Sequence, residues 1–296
     1  MATANSNLSS LMEKLKTEED VVSYLQEKGI IPKRKLCANK HYMRKKMVHG
    51  KVYWRCSQKG CCVCISVRRG TWLEGRTLPL RTVVLFLYSW SKELTSVHFC
   101  VEELGMKHST IVDYNSYVRE ICAEDLLRHP VQIGGPGKTV DLDKIVFSRG
   151  KCNRRSLLPE QWVFGGVCRE TKDVFLYAAS CLNRDTLEEC IRQSILPGTT
   201  IFSDIWESYS PILKIDDYAL RYRTVNHSVE FVNSEGSTHM KLVENTRIPL
   251  KRGRKQRCGT KSSTIDLYLC EFMWRKRYEN CNLFEKLLEC ISSFCF

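Results

Sequence analysis

The carboxylates are the residues in this sequence with the most chemistry to offer. Asp141 and Asp143 in "VDLDK" fall on one face of a strand pattern, because strand side chains alternate with period two, and Asp204 closes the strand-like "TTIFSD". Glu244 stands alone in "STHMKLVENTRIPLKRGRKQRC", directly before a run of positive charge. Acids at strand ends are exposed at a sheet rim. Several converging there supply the hard oxygen ligands that two Mg²⁺ or Mn²⁺ ions need for phosphoryl transfer. The plainer reading is that Asp141, Asp143 and Asp204 are solvated strand ends and Glu244 a surface acid on a nucleic-acid-binding arm.

Cysteines and basic residues form the second set. The chain has 296 residues, 16 of them cysteine, and carries 46 Lys and Arg against 33 Asp and Glu, a net charge of +13. That balance favours a polyanionic partner through the summed field, nucleic acid first and an anionic membrane surface second. The longest apolar run, "VVLFLY", is far short of the roughly 20 residues that span a bilayer. The N-terminus lacks an apolar h-region, which argues against secretion and for cysteines kept as thiols or metal ligands. Those from Cys100 onward have no ligand spacing.

These groups must be positioned by elements that the periodicities outline. Residues 17–30 read as a short capped helix after a polar leader, together 1–35. Residues 36–75 read as a small cysteine-rich β module with hairpins marked by Gly50, Gly60 and Gly70. Residues 76–128 are helical, and the break at "LGMKHS" outlines a helix-turn-helix. Lys107, His108 and Arg119 on its second helix are candidate DNA contacts, although helix pairs of this spacing also arise from core packing. "RHPVQIGGPGK" interrupts every periodicity, so 129–139 is the expected linker. In 140–296, strand-like "TVDLDKIVF", "QWVFGGVCRE" and "DVFLYAAS" precede a helical "RDTLEECIRQSI", the strand "GTTIFSDIW" and two C-terminal helical patterns, an α/β layout. Lys251, Arg252, Arg254, Lys255 and Arg257 could track phosphates, serve as a nuclear import signal, or form a solvated run.

The ordered set "WVFGG", "PGTTIFSDIWESY", "VNHSVEFV" and "YLCEFMWRKRY" resembles Merlin-type transposases, related to bacterial insertion-sequence transposases of the ISXO type. The resemblance extends upstream through "RCSQKGC" and the helical region. It implies an RNase H-like mixed sheet flanked by helices, preceded by a zinc-ribbon-like module and a helix-turn-helix. It also implies a catalytic triad on Asp143, Asp204 and Glu244, spaced by 61 and 40 residues, that cuts transposon ends and joins them to target DNA with two Mg²⁺ or Mn²⁺ ions. Double-stranded DNA, both terminal inverted repeats and target, is the implied partner, in the nucleus, bound by a homodimer or larger assembly.

The resemblance also implies zinc ligands. Cys37, Cys56 and Cys61 match the ligand positions, with Cys62 and Cys64 as neighbouring alternates; the first knuckle's second position is Lys40, and His41 is the residue near enough to replace it. The alternative is a ribbon without metal, its cysteines packed as small apolar residues. Around the third acid the chain has Lys241 and Arg247 in place of Asn and Trp, then Pro249. An ammonium ~4 Å from a carboxylate interacts at about 4 kcal/mol for an effective dielectric near 20, which competes with a weakly held Mg²⁺. Two readings follow: an active DDE transposase, or a decayed or domesticated descendant that binds DNA and cuts nothing. Lys144, where the family has Glu after the first Asp, should project away from Asp143.

Overall fold

The computed structural model describes residues 7–148, 161–179, 184–204, 221–225 and 265–294. The chain forms two compact units, Met1–Ile121 with Asn280–Phe296, and Cys122–Glu279. The division falls inside the long helix α5 and returns the last helix to the first unit. Among the described residues no helix is long and apolar enough to cross a membrane.

In the first unit, α1 (Leu8–Lys14) precedes α2 (Glu18–Glu27), whose start is fixed by a capping box: Thr17 accepts from the Asp20 amide and Asp20 accepts from the Thr17 amide. A three-stranded antiparallel sheet follows in the order β1 (Met43–Val48), β2 (Lys51–Cys56), β3 (Cys64–Ser66). Its first turn needs two left-handed residues, His49 at φ 47 and Gly50 at φ 72, the pattern of the tight hairpin turn that matches strand twist. One face of the hairpin is buried through Met43, Val52, Trp54 and Cys56; the other carries Arg44, Lys46 and Arg55, all exposed.

Helix α3 (Leu80–Ser91) is apolar nearly all round, with Leu80, Val83, Val84, Phe86, Leu87 and Trp90 at most 1% exposed, so it is the core helix of this unit. It stops short of Leu94 because Glu93 turns left-handed at φ 60 and the Leu94 amide bonds back to the Ser89 carbonyl. Helices α4 (Val97–Glu102) and α5 (His108–Arg128) are separated by a turn at Gly105, which gives the helix-turn-helix outline. The last helix, α8 (Leu283–Ser293), is capped by Asn282 and packs Phe284 edge-on to Tyr88 at 5.3 Å.

The second unit is built on a mixed sheet in the order β10-β9-β5-β6-β7. Strands β5 (Thr139–Ser148), β6 (Gln161–Cys168) and β7 (Val174–Ala179) form an antiparallel meander. The chain then crosses through α6 (Arg184–Ser194) to β9 (Thr200–Asp204), which lies parallel to β5 on its free edge, and β10 (Arg221–Val225) lies parallel to β9. Short β4 (Ile133–Gly134) and β8 (Ile195–Leu196) pair beside it, so the glycine-rich stretch expected as a linker contributes a two-residue strand. One sheet face packs on α6 through Val140, Leu142, Phe164, Phe175, Leu187, Ile191 and Ile201. The other packs Val163 and Leu176 against Ile265 and Leu269 of α7 (Ile265–Arg277).

Two adjacent glycines set how closely β6 and β7 approach. A Cβ on Gly165 would stand 2.5 Å from the Leu176 side chain and from the Phe175 carbonyl oxygen, and one on Gly166 would strike Phe175 and Leu142. Buried Asp125, near the end of α5, ties α7 down by accepting from Trp274 Nε1 at 3.1 Å and Tyr278 Oη at 3.0 Å.

Candidate functional site

The carboxylate positions come together through strand register. Strands β5 and β9 pair Thr139 with Thr200, Val140 with Ile201 and Asp141 with Phe202. The pairing ends there; each strand runs on by two residues, β5 to Asp143 and β9 to its last residue, Asp204, which pairs with Val225 of the next strand. β5 continues past Asp143 to Ser148, paired with β6, whereas β9 ends at Asp204. Asp143 and Asp204 thus lie on adjacent strands, each two residues past the last recorded β5–β9 pair. Glu244 lies outside the described residues.

Asp141 and Asp143 share a strand but differ in company. Asp141 is 5% exposed and is held by Arg169, whose Nε and Nη2 donate to both carboxylate oxygens at 2.6 to 3.0 Å. The guanidinium also lies 4.2 Å from the Phe202 ring centre. That arrangement is a buried, bidentate ion pair, the type that fixes a carboxylate in place as part of the framework. Asp143 is half-buried and accepts from the amide of Lys144 at 2.7 Å, while the Lys144 ammonium lies 3.8 Å from the Trp162 ring centre. Lys144 therefore points to the opposite face from Asp143, as strand alternation predicts. Sequence reasoning missed Arg169; its place at the β6–β7 turn, level with the start of β5, becomes visible only once the meander is paired.

The cysteine cluster is the better-defined metal-binding geometry. The ligand atoms of Cys37, His41, Cys56 and Cys61 all lie within 4.8 Å of one another. Cys37 and Cys61 bring their sulfurs to 3.7 Å, and Cys56 Sγ is 3.7 Å from His41 Nδ1. A tetrahedral ion with Zn–S bonds of about 2.3 Å spaces its sulfurs roughly 3.8 Å apart, so three thiols and an imidazole of this spacing could hold zinc. Both knuckles are short turns: the Cys37 amide bonds to the His41 carbonyl, the Lys40 amide to the Cys37 carbonyl, and Lys40 itself is left-handed at φ 59, which carries its side chain off and brings His41 in. Asn39 donates to Cys61 Sγ at 3.4 Å. Burial raises the Cys37 thiol, but the amides of His41 and Asn39 and the neighbouring thiols outweigh it and hold Cys37 below the ordinary thiol range. At Cys56 the Gln58 amide works downward, and burial with Cys61 and Cys37 leaves that thiol raised. Cys62 and Cys64, the alternates, are exposed and outside the cluster.

The predicted DNA contacts divide. Lys107 and His108 are exposed at the start of α5, whereas Arg119 is only 9% exposed. Lys251, Arg252, Arg254, Lys255 and Arg257 lie outside the described residues, as do Lys241, Arg247 and Pro249. On α7, Trp274 is fully buried, and Arg275 and Lys276 pair with Glu271 at 3.0 Å and Glu279 at 2.5 Å. That helix end is tied to its own acids.

No curated protein matches the chain significantly. A cryo-EM structure of the simian T-cell lymphotropic virus intasome in complex with PP2A regulatory subunit B56 gamma is similar over 66% of this chain and 67% of that one, at 14% identity and a TM-score of 0.33. Residues 148–277 match the family model of the ISXO2-like transposase domain, a stretch that opens on the last residue of β5 and takes in α6, β9, β10 and α7. Asp204 and Glu244 fall inside the matched stretch, and Asp143 lies just ahead of it.

Proposed function

We propose that the protein is a Merlin-type DNA transposase whose second unit is an RNase H-like domain. One observation supports this reading: β5 and β9 lie side by side in parallel, paired through Asp141 and Phe202, and Asp143 and Asp204 each follow two residues later. The antiparallel meander followed by two parallel strands, with helices on both faces, supports the fold assignment. Asp143, Asp204 and Glu244 would hold divalent Mg²⁺ or Mn²⁺, and carboxylate oxygens are the donor set those hard ions take. When bound, the ions supply charge stabilisation for the attacking and leaving oxygens of an in-line displacement at a phosphodiester.

The chain's own residues do the rest. Arg169 neutralises Asp141, so the carboxylate two positions before Asp143 adds no uncompensated charge to the rim. The Lys144 amide orients Asp143 by donating to one oxygen, and the Lys144 side chain is kept away on Trp162. In the first unit, Cys37, His41, Cys56 and Cys61 form the ligand set of a zinc ribbon, which would fold the module that engages transposon ends. The partner is double-stranded DNA, in the nucleus, gripped by two or more copies of the chain.

A metal-dependent cleavage assay on terminal-inverted-repeat duplexes tests the reading. Native protein with Mn²⁺ should nick the repeat ends, and Asp204→Ala should not. Native protein that binds the repeats but leaves them intact would assign the chain to the decayed, DNA-binding class.

A further inference from the structure

The chain's charge is not spread over its surface. Between Lys33 and Arg69 there are twelve Lys and Arg and no Asp or Glu, so this one segment accounts for nearly all of the net +13. It coincides with the cysteine cluster and the β1–β3 sheet. Pairing places Arg44 directly opposite Arg55 and Lys46 opposite Tyr53, on the face of the hairpin turned away from the buried Trp54 and Val52. Like charges directly opposite across a strand pair destabilise it. Here the pair is kept without an acid to relieve it, for none of Arg44, Lys46, Arg55 and Lys59 has a salt bridge among the described residues. Lys45 points the other way and is bonded to Gln26, and Glu18 lies near Lys51 and Arg68, so those three are set aside.

A shallow, open depression of about 570 Å³ lies between the hairpin and the second knuckle, its lining including Arg44, Lys45, Lys46, Arg55, Gln58 and Lys59. A two-stranded ribbon is narrow enough to enter a DNA major groove about 12 Å wide, and side chains two residues apart on one strand repeat at ~7 Å. We propose that the outer face of the β1–β2 hairpin, through Arg44, Lys46 and Arg55 with Lys59 at the knuckle, is a phosphate-contacting surface for double-stranded DNA. The identification of the polyanion as DNA rests on the transposase reading; the surface itself rests on register, exposure and charge. Repulsion between Arg44 and Arg55 is relieved when phosphates lie between them.

The test is duplex affinity of the full chain as a function of salt, with a short mixed-sequence duplex as the probe. The variant R44Q/K46Q/R55Q should bind with a log–log salt slope shallower by about 3, roughly 0.9 per lost phosphate contact, and at least about 10-fold more weakly at low salt. K14Q/K16Q/K172Q, which removes the same charge from exposed positions elsewhere, should keep the native slope. Arg44→Glu separates loss of fold from loss of contact: it turns a repulsive cross-strand pair into an attractive one, so it should melt higher than the native protein while binding less. A native slope in the triple variant overturns the surface and leaves the transposase reading standing. Native protein that binds duplex but does not cleave overturns that reading and leaves the surface. Native protein that binds no duplex overturns both. Tighter capture by an RNA of equal length, or by anionic phosphatidylserine vesicles, overturns the assignment to DNA.

Discussion

The two metal-binding candidates of this protein are built on opposite plans. Cys37, His41, Cys56 and Cys61 come from 25 consecutive residues, closed by two turns and one hairpin. The carboxylates Asp143, Asp204 and Glu244 span 102 residues and depend on a strand that crosses the sheet to reach the free edge of β5. A local site closes little chain entropy and is stabilised by the ion itself. A distributed site has to be pre-positioned by the surrounding fold, so here the ion's contribution is to chemistry more than to folding. The contrast is sharpest at Asp141 and Asp143, where adjacent same-face positions are divided between a framework ion pair and the candidate site.

Experiments can break this contrast or sharpen it. Zinc removal by chelation should have the largest effect, because structural zinc in small domains contributes about 10–16 kcal/mol of apparent binding free energy that is also folding free energy. Residues 33–74 should become protease-sensitive, and an unchanged digestion pattern would mean the cluster packs without metal. Asp204→Ala should lower terminal-repeat cleavage on the order of 10³-fold, the loss of several kcal/mol of transition-state stabilisation, with an unchanged melting temperature. If melting falls with activity, the carboxylate is framework after all. Arg169→Met should do the reverse and destabilise the second unit by about 3–5 kcal/mol, since it strands a buried carboxylate; adding Asp141→Asn should restore much of that in a denaturant titration. Gly165→Ala should cost about 1–3 kcal/mol by forcing Leu176 and the Phe175 backbone away. Thr17→Ala, outside either site, should cost only about 1 kcal/mol, the value of one helix cap.

What the sequence makes legible follows the same division. Alternation and apolar periodicity locate β5, β6, β7, β9, α6, α7 and α8 to within a few residues, because each buries a face and is bounded by turn residues. The ligand set around Cys37 is legible because proximity in sequence is proximity in space over so short a stretch; His41 is one residue from the substituted position. Strand β10, "RYRTV", passes unnoticed because its basic residues hide the alternation. The pairing of β5 with β9, the strands that carry Asp143 and Asp204, is hidden for a different reason. It depends on which edge of the meander the crossover chooses, and no local pattern records that choice. The same holds for Arg169, whose partner is 28 residues away, and for the Arg44–Arg55 pair, where repulsion is legible only once register is known.

Lys40 has a consequence for how the module looks to an approaching ligand. Where the resemblance places a second knuckle cysteine, the chain has a lysine in a left-handed turn, and the imidazole of His41 takes the vacated corner of the cluster. A zinc centre of four thiolates carries a formal charge of minus two, whereas three thiolates and a neutral imidazole carry minus one. The exchange therefore removes one negative charge from the ion's surroundings and adds a positive one beside it. A substitution that looks like damage to a metal site makes the knuckle two charges more attractive to an anion.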